Sequence, residues 1–171
     1  VRDWSRTYNL KTVVFRHSSI YGGRQYASKD QGWIGWFCNQ ILLQKKSYES
    51  SLEYDPFTIS GNGKQVRDVL HSQDLVNLYK VAYERKDIAS GEIFNIGGGV
   101  KNSLSILELI NLLKDYLDFE KVKYLFIKRR KSDQDYFVAD IKKAEKILGW
   151  QPSLNLKEGI EQMIIWSKSY L

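Results

Sequence analysis

Residues 61–71 read Gly-Asn-Gly-Lys-Gln-Val-Arg-Asp-Val-Leu-His, a glycine turn followed by two cations within a run of strand-forming residues. Glycine permits tight turns and lets a ligand approach the backbone closely. Lys64 and Arg67 add positive charge here, and an arginine can bind a phosphate group through two parallel hydrogen bonds. The stretch therefore predicts one wall of a site for a phosphate-bearing substrate. We expect the opposite wall in residues 16–25, which read Arg-His-Ser-Ser-Ile-Tyr-Gly-Gly-Arg-Gln.

Strand-like and helix-like segments alternate along the chain. Residues 12–16 form a continuous β-branched and aromatic run, which is typical of a strand buried on both faces of a parallel sheet. Ser105 and Glu108 form a capping box before an apolar helical stripe that ends at residue 117. The other predicted strands are 57–59, 65–70, 93–96 and 122–127, and the other predicted helices are 4–10, 34–46, 73–85, 141–148 and a last one from 156. This alternation predicts an α/β fold.

The predicted element boundaries depend on a few punctuating residues. Asn9 is a suitable left-handed stop for the first helix, and Gly149 stops a later one. Ser72 can cap the helix that follows it. Residues 45–51 read as a polar connector. The run 97–99 is three glycines; we interpret it as a simple turn because it lacks the spacing of a dinucleotide-binding loop.

Size and composition fit one globular domain. The 171 residues are 43% hydrophobic and 13% aromatic, which excludes a disordered chain. No apolar run reaches the length of a membrane span. The sequence begins at Val1 without an initiator methionine or a signal-like block, so we expect a fragment of a longer protein. Cys38 is the only cysteine, and with two histidines present neither a disulfide framework nor a metal site is expected.

Cys38 lies in an apolar helical run, which predicts a buried structural thiol rather than a nucleophile. A reducing cytoplasm is the expected compartment. The net charge of +6 permits an acidic partner. The densest basic run, residues 128–131, is diluted by Asp133 and Asp135, and this spread favours a phosphorylated small molecule over a nucleic acid. A basic nucleic-acid-binding protein is the weaker alternative.

Five short motifs follow one another at plausible spacing. They are Arg16 with Tyr21-Gly22, Gly61-x-Gly63 with Arg67-Asp68, Asn95-Ile96-Gly97, Arg130 with Asp133, and Gly149-Trp150-Gln151-Pro152. In this order they make the chain resemble the C-terminal half of an extended short-chain dehydrogenase/reductase, one of the NAD-dependent sugar-nucleotide epimerases and dehydratases. Ser19 and Gly23, where most relatives have Asn and Pro, bring it nearest to the CDP-sugar 2-epimerases of that family.

The resemblance implies a fold and a domain division. The chain would be the C-terminal portion of a Rossmann-like fold with the small substrate-binding domain, and the N-terminal βαβ units would be missing. Residues 1–25 would be a remnant of the NAD-binding sheet. Residues 26–171 would be mostly the substrate-binding domain, with a strand near 92–97 returning to the NAD-binding sheet.

The resemblance also implies an activity. The family's enzymes of this kind are isomerases of carbohydrate (O-antigen) biosynthesis that act on a nucleotide sugar, here a CDP-sugar. Tightly bound NAD would oxidise the sugar at C2, and the keto intermediate would be reduced from the opposite face. The alternatives are another sugar-nucleotide epimerase or 4,6-dehydratase, or a non-catalytic nucleotide-sugar-binding module. The expected assembly is a homo-oligomer, with neither membrane nor nucleic acid as partner.

Ligand contacts are carried over from the family residue by residue. The implied substrate-binding residues are Ser19, Gln31, Trp33, Gln65, Arg67, Arg130 and Asp133. His17 and Ser18 would lie near the nicotinamide of NAD, although His17 could equally be a structural hydrogen-bond donor. Trp33 could stack on the base or pack in the core. For Trp36 and Tyr21 packing is the favoured interpretation.

Other roles stay open for the charged residues. Arg67 could form a surface salt bridge with Asp68. Either Arg130 or its neighbour Arg129 could occupy the position of the family's second diphosphate-binding arginine. Asp133 could bind the ribose, hold Arg130, or cap a helix.

Two family motifs are not found among these residues, and no catalytic residue is assigned. The family uses a Gly-x-x-Gly-x-x-Gly loop for NAD and a Tyr-x-x-x-Lys pair for proton transfer. Tyr124 and Lys128 have the right spacing but fall in an extended run, where four residues span about 13 Å. We therefore expect both motifs upstream of residue 1 and no turnover by this chain alone. An unpaired sheet edge would favour self-association.

Overall fold

The computed structural model describes residues 1–171 and contains seven helices and eight strands. The helices are α1 (Arg2–Tyr8), α2 (Trp33–Glu49), α3 (Ser72–Glu84), α4 (Lys86–Ala89), α5 (Ile106–Leu117), α6 (Lys142–Leu148) and α7 (Leu156–Lys168). The strands are β1 (Val14–His17), β2 (Ser19–Tyr21), β3 (Phe57–Ser60), β4 (Val66–His71), β5 (Ile93–Ile96), β6 (Ser103–Ser105), β7 (Tyr124–Ile127) and β8 (Tyr136–Phe137). None of the helices combines the length and the apolar character that crossing a bilayer requires.

The paired strands whose registers are resolved run parallel. β1 pairs with β5, with Val14 opposite Ile93, and β3 pairs with β7, with Phe57 opposite Tyr124. A further sheet has the order β2-β4-β6, and β8 lies parallel to β4. Parallel strands separated by helices confirm the predicted α/β class. Strands β2, β6 and β8 are too short to give a periodic signal in the sequence.

The chain divides into two compact units, each made of three separate segments. The first unit comprises residues 1–20, 68–103 and 138–156, and the second comprises 21–67, 104–137 and 157–171. Strand β5 pairs with β1 within the first unit. The assignment of residues 1–25 to a cofactor domain and 26–171 to a substrate domain stays a prediction.

The first unit has its own apolar core. Its buried side chains come from β4, α3, α4, β5 and α6 and from the segment after α6, which supplies the largest of them, Trp150, at 2% exposed. Strand β1 lies at the margin of this core, with partly buried Val14 and Phe15 and exposed Arg16 and His17. The predicted burial of this strand on both faces is not reached within these residues, because β5 is its only paired neighbour.

The second unit is built around α2, which packs against α5. The buried apolar residues of its helices are Ile34, Phe37, Cys38, Ile41, Leu42, Leu109, Ile110, Leu113, Leu117, Ile160, Met163 and Ile164. The prediction of a polar connector at residues 45–51 is wrong for most of its length, because α2 continues to Glu49. Lys45 keeps the helix surface polar there and forms an i,i+4 salt bridge with Glu49.

Local capping signals define most of the helix ends. The capping box of Ser105 and Glu108 is present at the start of α5, and Asn9 and Gly149 adopt the left-handed conformation that ends α1 and α6. The predicted cap at Ser72 is wrong by one residue. His71 is the N-cap of α3, because its ring Nδ1 accepts a hydrogen bond from the backbone N–H of Gln73 at 3.3 Å.

We expect the thiol of Cys38 to be unreactive in the folded protein. The side chain is 0% exposed, and burial raises its pKa to about 12, so almost no thiolate is present at pH 8. Iodoacetamide at pH 8 should therefore leave the native protein unmodified and should alkylate it fully in urea, as followed by intact mass. Rapid labelling without denaturant would contradict the packing of α2.

Candidate functional site

One cavity in the second unit collects most of the predicted ligand contacts. Its volume is about 230 Å³. Six of the seven predicted substrate-binding residues line it: Gln31, Trp33, Gln65, Arg67, Arg130 and Asp133. They come from three stretches of sequence that are distant along the chain, so the fold is what brings them together. Ser19, the seventh, does not line this cavity.

The glycine turn before β4 sets the position of one cavity wall. Gly61 and Gly63 have φ angles of 78° and 73°, a backbone conformation that residues other than glycine rarely adopt. The Asn62 carboxamide accepts a hydrogen bond from the backbone N–H of Lys64 at 3.0 Å. Within this turn the Gln65 amide donates to the Ser60 carbonyl at 2.9 Å. The turn therefore presents Gln65 and then Arg67 to the cavity.

Arg67 is held by a carboxylate on the facing segment. Its guanidinium Nη2 donates to Asp133 Oδ1 at 2.6 Å, and its Nη1 donates to the Val66 carbonyl at 2.8 Å. The Gln65 amide reaches the other carboxylate oxygen, Oδ2, at 3.3 Å. Both charged side chains are only 20% exposed, so this ion pair is partly shielded from water.

The alternative of a surface salt bridge between Arg67 and Asp68 is wrong. Successive side chains of a strand point to opposite faces, so Asp68 points away from Arg67. The Asp68 carboxylate is fully buried, where it accepts hydrogen bonds from the Ser18 hydroxyl and from the backbone N–H of Gly99, the latter at 3.1 Å. Asp68 is therefore part of the framework of the first unit.

The two neighbouring arginines after β7 point to different places. Arg130 lines the cavity, whereas Arg129 does not. Arg129 binds the Asp133 carbonyl and the Asp135 carboxylate, each at 2.6 Å. Of the two arginines, only Arg130 is therefore placed to contact a ligand in this cavity, and its role in binding a diphosphate stays a prediction.

Arg130 is not held by Asp133, and that sequence expectation is wrong. The Asp133 carboxylate is occupied by Arg67, while the guanidinium of Arg130 faces the loop before α2. Its Nη2 lies 3.6 Å from Asp30 Oδ1 and 3.4 Å from the carbonyl of Lys29. Both Lys29 and Asp30 also line the cavity.

The first turn of α2 supplies the aromatic side of the cavity. Gly32, the N-cap residue directly before the helix, has a left-handed conformation with φ of 78°. Trp33 and Trp36 then both line the cavity. Trp36 also packs edge to face on Phe37 and Phe57, with ring centroids 4.8 and 5.8 Å apart, so its expected packing role is only part of what it does.

Sequence reasoning missed two hydroxyl residues on β3. Thr58 and Ser60 line the cavity, whereas Phe57 and Ile59, which alternate with them, are buried in the core. The period of two along this strand is visible in the sequence and could have identified them. Ile106, at the start of α5, was also missed and adds an apolar lining residue.

The predicted cofactor contacts lie in the first unit, at the end of β1. The Ser18 hydroxyl donates to the Asp68 carboxylate, so only its acceptor capacity is left for a ligand. The ring of His17 is exposed, with Nε2 lying 3.4 Å from the Tyr79 hydroxyl. Partial burial lowers the pKa of His17, which favours the neutral imidazole near pH 7.

Several residues that could suggest chemistry are structural. Tyr21 is 3% exposed, which confirms the expected packing role. Tyr124 lies in β7 and Lys128 directly after that strand, so the two are not helical neighbours. No group of three or more His, Cys, Asp or Glu side chains in the 171 residues is arranged to hold a metal ion.

Comparisons of sequence agree with the motifs. The sequence pattern of the family described as GDP-mannose 4,6 dehydratase matches residues 1–163. CDP-paratose 2-epimerase of Salmonella typhi is 48% identical over 167 residues, which are 98% of this chain and 48% of that protein. A putative UDP-glucose 4-epimerase of Methanocaldococcus jannaschii is 30% identical over 99% of this chain and 50% of its own length.

Solved structures share the fold. UDP-glucose 4-epimerase of Thermotoga maritima, solved with UDP-glucose, superposes with a TM-score of 0.83 at 28% identity, covering 98% of this chain and 49% of that one. UDP-glucuronic acid 4-epimerase of Bacillus cereus, in complex with UDP-glucuronic acid and NAD, has a TM-score of 0.81 at 27% identity and covers 99% and 49%. The chain thus spans about half the length of the relatives that it matches.

Proposed function

The chain belongs to the GDP-mannose 4,6 dehydratase family of extended short-chain dehydrogenases/reductases, and from this premise we propose that it is the substrate-binding portion of an NAD-dependent nucleotide-sugar epimerase. The observation that carries the proposal is the cavity in which two arginines and a tryptophan meet. Guanidinium groups bind the phosphates of a diphosphate, and the face of an aromatic ring can stack on a nucleobase.

The cavity contains groups that could bind each part of a nucleotide sugar. Arg67 and Arg130 would bind the diphosphate, with Lys29 adding a third positive charge to the lining. Trp33 would provide a face on which the base can stack. The amide of Gln31 would donate hydrogen bonds to, or accept them from, hydroxyl groups of the ribose or sugar, and the carboxylate of Asp133 would accept hydrogen bonds from them.

The substrate we propose is a CDP-sugar, epimerised at C2. The support is the 48% identity to a protein described as CDP-paratose 2-epimerase, well above the 30% identity to a putative UDP-glucose 4-epimerase. A different sugar-nucleotide epimerase or a 4,6-dehydratase is the alternative, because proteins described as dTDP-glucose 4,6-dehydratase are also about 30% identical.

NAD would supply the hydride transfer in the whole protein. Within this chain the fit to NAD is limited to the exposed His17 and to Ser18, whose hydroxyl proton is already given to Asp68. No Gly-x-x-Gly-x-x-Gly loop and no helical Tyr-x-x-x-Lys pair occurs among the 171 residues. We therefore propose that these residues alone bind substrate without turning it over. A cytoplasmic homo-oligomer remains the assembly that we expect of the whole protein.

The proposal is tested by calorimetric titration of the protein with CDP, UDP and dTDP. We expect CDP to bind most tightly, and Arg67→Ala to weaken it by roughly 10- to 100-fold, the loss of a charge-assisted hydrogen bond. Arg129→Ala is the matched control, because Arg129 carries the same charge nearby but does not line the cavity. Its dissociation constant for CDP should stay within a factor of about two of wild type.

The possible results separate the alternatives. Preference for UDP or dTDP with the same dependence on Arg67 would keep the nucleotide-sugar site and reject the CDP assignment. An equal loss of affinity for CDP in the Arg67 and Arg129 variants would show that the effect comes from the net charge of the protein and not from a contact with Arg67. If none of the three nucleotides binds, the cavity is not the substrate site.

A further inference from the structure

The cavity holds its two arginines in different ways, although each faces one aspartate. Arg67 meets Asp133 at 2.6 Å, and both side chains are 20% exposed. Arg130 meets Asp30 at 3.6 Å, where the arginine is 56% and the aspartate 91% exposed. Distance and solvent exposure both weaken an ion pair, so the second pair is much the weaker of the two.

The stronger pair is built into the cavity wall. Asp133 also receives the Gln65 amide at 3.3 Å, and Arg67 is tied at its other nitrogen to the Val66 carbonyl. A ligand that removed Arg67 from Asp133 would leave a partly buried carboxylate with one of its partners lost, which is costly. We expect this pair to persist when the cavity is occupied.

The weaker pair is not supported in this way. Asp30 lies in the loop before α2, at a turn where the backbones of Ser28 and Gln31 bridge each other. The only ion pair of its carboxylate is the long one to Arg130, whose guanidinium also reaches the Lys29 carbonyl at 3.4 Å. Because Asp30 and Arg130 both line the cavity, an anion that enters it competes with Asp30 for the same guanidinium.

We propose that Asp30 is a displaceable counter-ion, occupying at Arg130 the position that a phosphate group of the ligand takes on binding. This inference rests on the proposed function of the cavity as a diphosphate site. Asp30 then lowers the affinity for anions, because each ligand must displace a carboxylate of the chain that already lies close to the arginine. An exposed ion pair contributes little, so the replacement is easy for a phosphate group, which carries more charge and can bind the guanidinium fork through two hydrogen bonds.

The test is titration of wild type and Asp30→Asn with CDP and with inorganic pyrophosphate at low ionic strength. Removing the competing charge should tighten both anions by about two- to fivefold, the range expected from an exposed ion pair. The difference should shrink at 1 M salt, where exposed charges are screened. A merely structural role of Asp30 would change the affinity in the opposite direction.

The matched control is Asp135→Asn. Asp135 is 88% exposed and pairs with Arg129. The substitution therefore removes the same charge as Asp30→Asn, but from beside an arginine that does not line the cavity. Its dissociation constants should equal those of wild type. In the Arg130→Ala background, Asp30→Asn should have no effect, since the coupling between two residues disappears when either is removed.

Three results would overturn the inference. If Asp30→Asn and Asp135→Asn act alike, the effect is general electrostatics; if Asp30→Asn weakens binding, Asp30 contacts or positions the ligand. Both results leave the proposed function intact, provided that CDP binding still depends on Arg67. If neither wild type nor Asp30→Asn binds pyrophosphate or CDP, the inference and the proposed function both fail.

Discussion

Gly98→Ala is expected to destabilise the protein by about 3 kcal/mol or more, or to prevent folding. A Cβ atom at this position would lie 2.0 Å from the carbonyl oxygen of Val69 and 2.6 Å from Cβ of Asn102. The first of these atoms belongs to the backbone of β4, so it cannot move away as the end of a flexible side chain could. Asn102 is also fixed, because its amide donates to the Leu154 carbonyl at 3.2 Å.

Urea unfolding followed by circular dichroism measures this effect, and Gly23→Ala is the control. A Cβ at Gly23 would meet nothing closer than 3.4 Å, the ordinary contact distance to the ring of Trp166. Its free energy of unfolding should stay within about 1 kcal/mol of wild type. Similar values for the two variants would show that β4 and the glycine run are not packed as closely as described.

The glycine run at residues 97–99 has a steric requirement that its local sequence does not reveal. The sequence predicts a simple turn at residues 97–99, and the chain does turn there. The stronger requirement is steric, since a Cβ at Gly97 would also lie 2.0 Å from the Asp68 carboxylate. This contact joins residues 29 positions apart, and no pattern within a window of a few residues contains it. Proximity of that kind follows from the fold.

Signals that act within one helical turn were predicted correctly. The capping box of Ser105 and Glu108, the left-handed Asn9 and the left-handed Gly149 depend only on neighbours three or four residues away. The same logic failed at Ser72, where two adjacent polar residues could each cap α3. His71 does so in the structure, because its ring nitrogen reaches the backbone of Gln73.

The sequence placed most of the predicted ligand contacts in one cavity, but it did not predict how they pair with one another. The motifs placed Gln65, Arg67, Arg130 and Asp133 in one site, and all four line one cavity. They did not show that Asp133 belongs to Arg67, 66 residues away, rather than to Arg130. Two cations and a carboxylate in one motif set allow either pairing, and only the strand register decides between them.

The Gly-Trp-x-Pro motif has a structural explanation that the sequence did not provide. Trp150 is fully buried in the first unit, and its indole N–H donates to the backbone carbonyl of Asp74 at 3.2 Å. The chain then continues past Pro152 so that Ser153 and Leu154 meet the Asp74 side chain. The motif therefore joins the segment after α6 to the first turn of α3.

Asp74→Ala should consequently lower the free energy of unfolding by roughly 3 kcal/mol. The Asp74 carboxylate is 1% exposed and accepts three hydrogen bonds: from the backbone N–H of Ser153 at 3.0 Å, from its hydroxyl at 2.6 Å, and from the backbone N–H of Leu154 at 3.1 Å. Alanine would leave all three donors without this acceptor. Urea unfolding gives the stability, and hydrogen exchange of the Leu154 amide reports the local loss.

Asp74→Asn separates the need for an acceptor from the need for volume. The amide keeps one oxygen for Ser153, but its NH₂ group would face the N–H of Leu154, so we expect only partial recovery of stability. Asp87→Ala is the matched surface control, since Asp87 forms an exposed salt bridge with Lys11, and such pairs contribute little to stability. If Asp74→Ala destabilises no more than Asp87→Ala, the buried carboxylate does not hold the segment after α6. An effect of the expected size with faster exchange at Leu154 would instead show that one aspartate, through three donors on a distant segment, fixes the end of this unit.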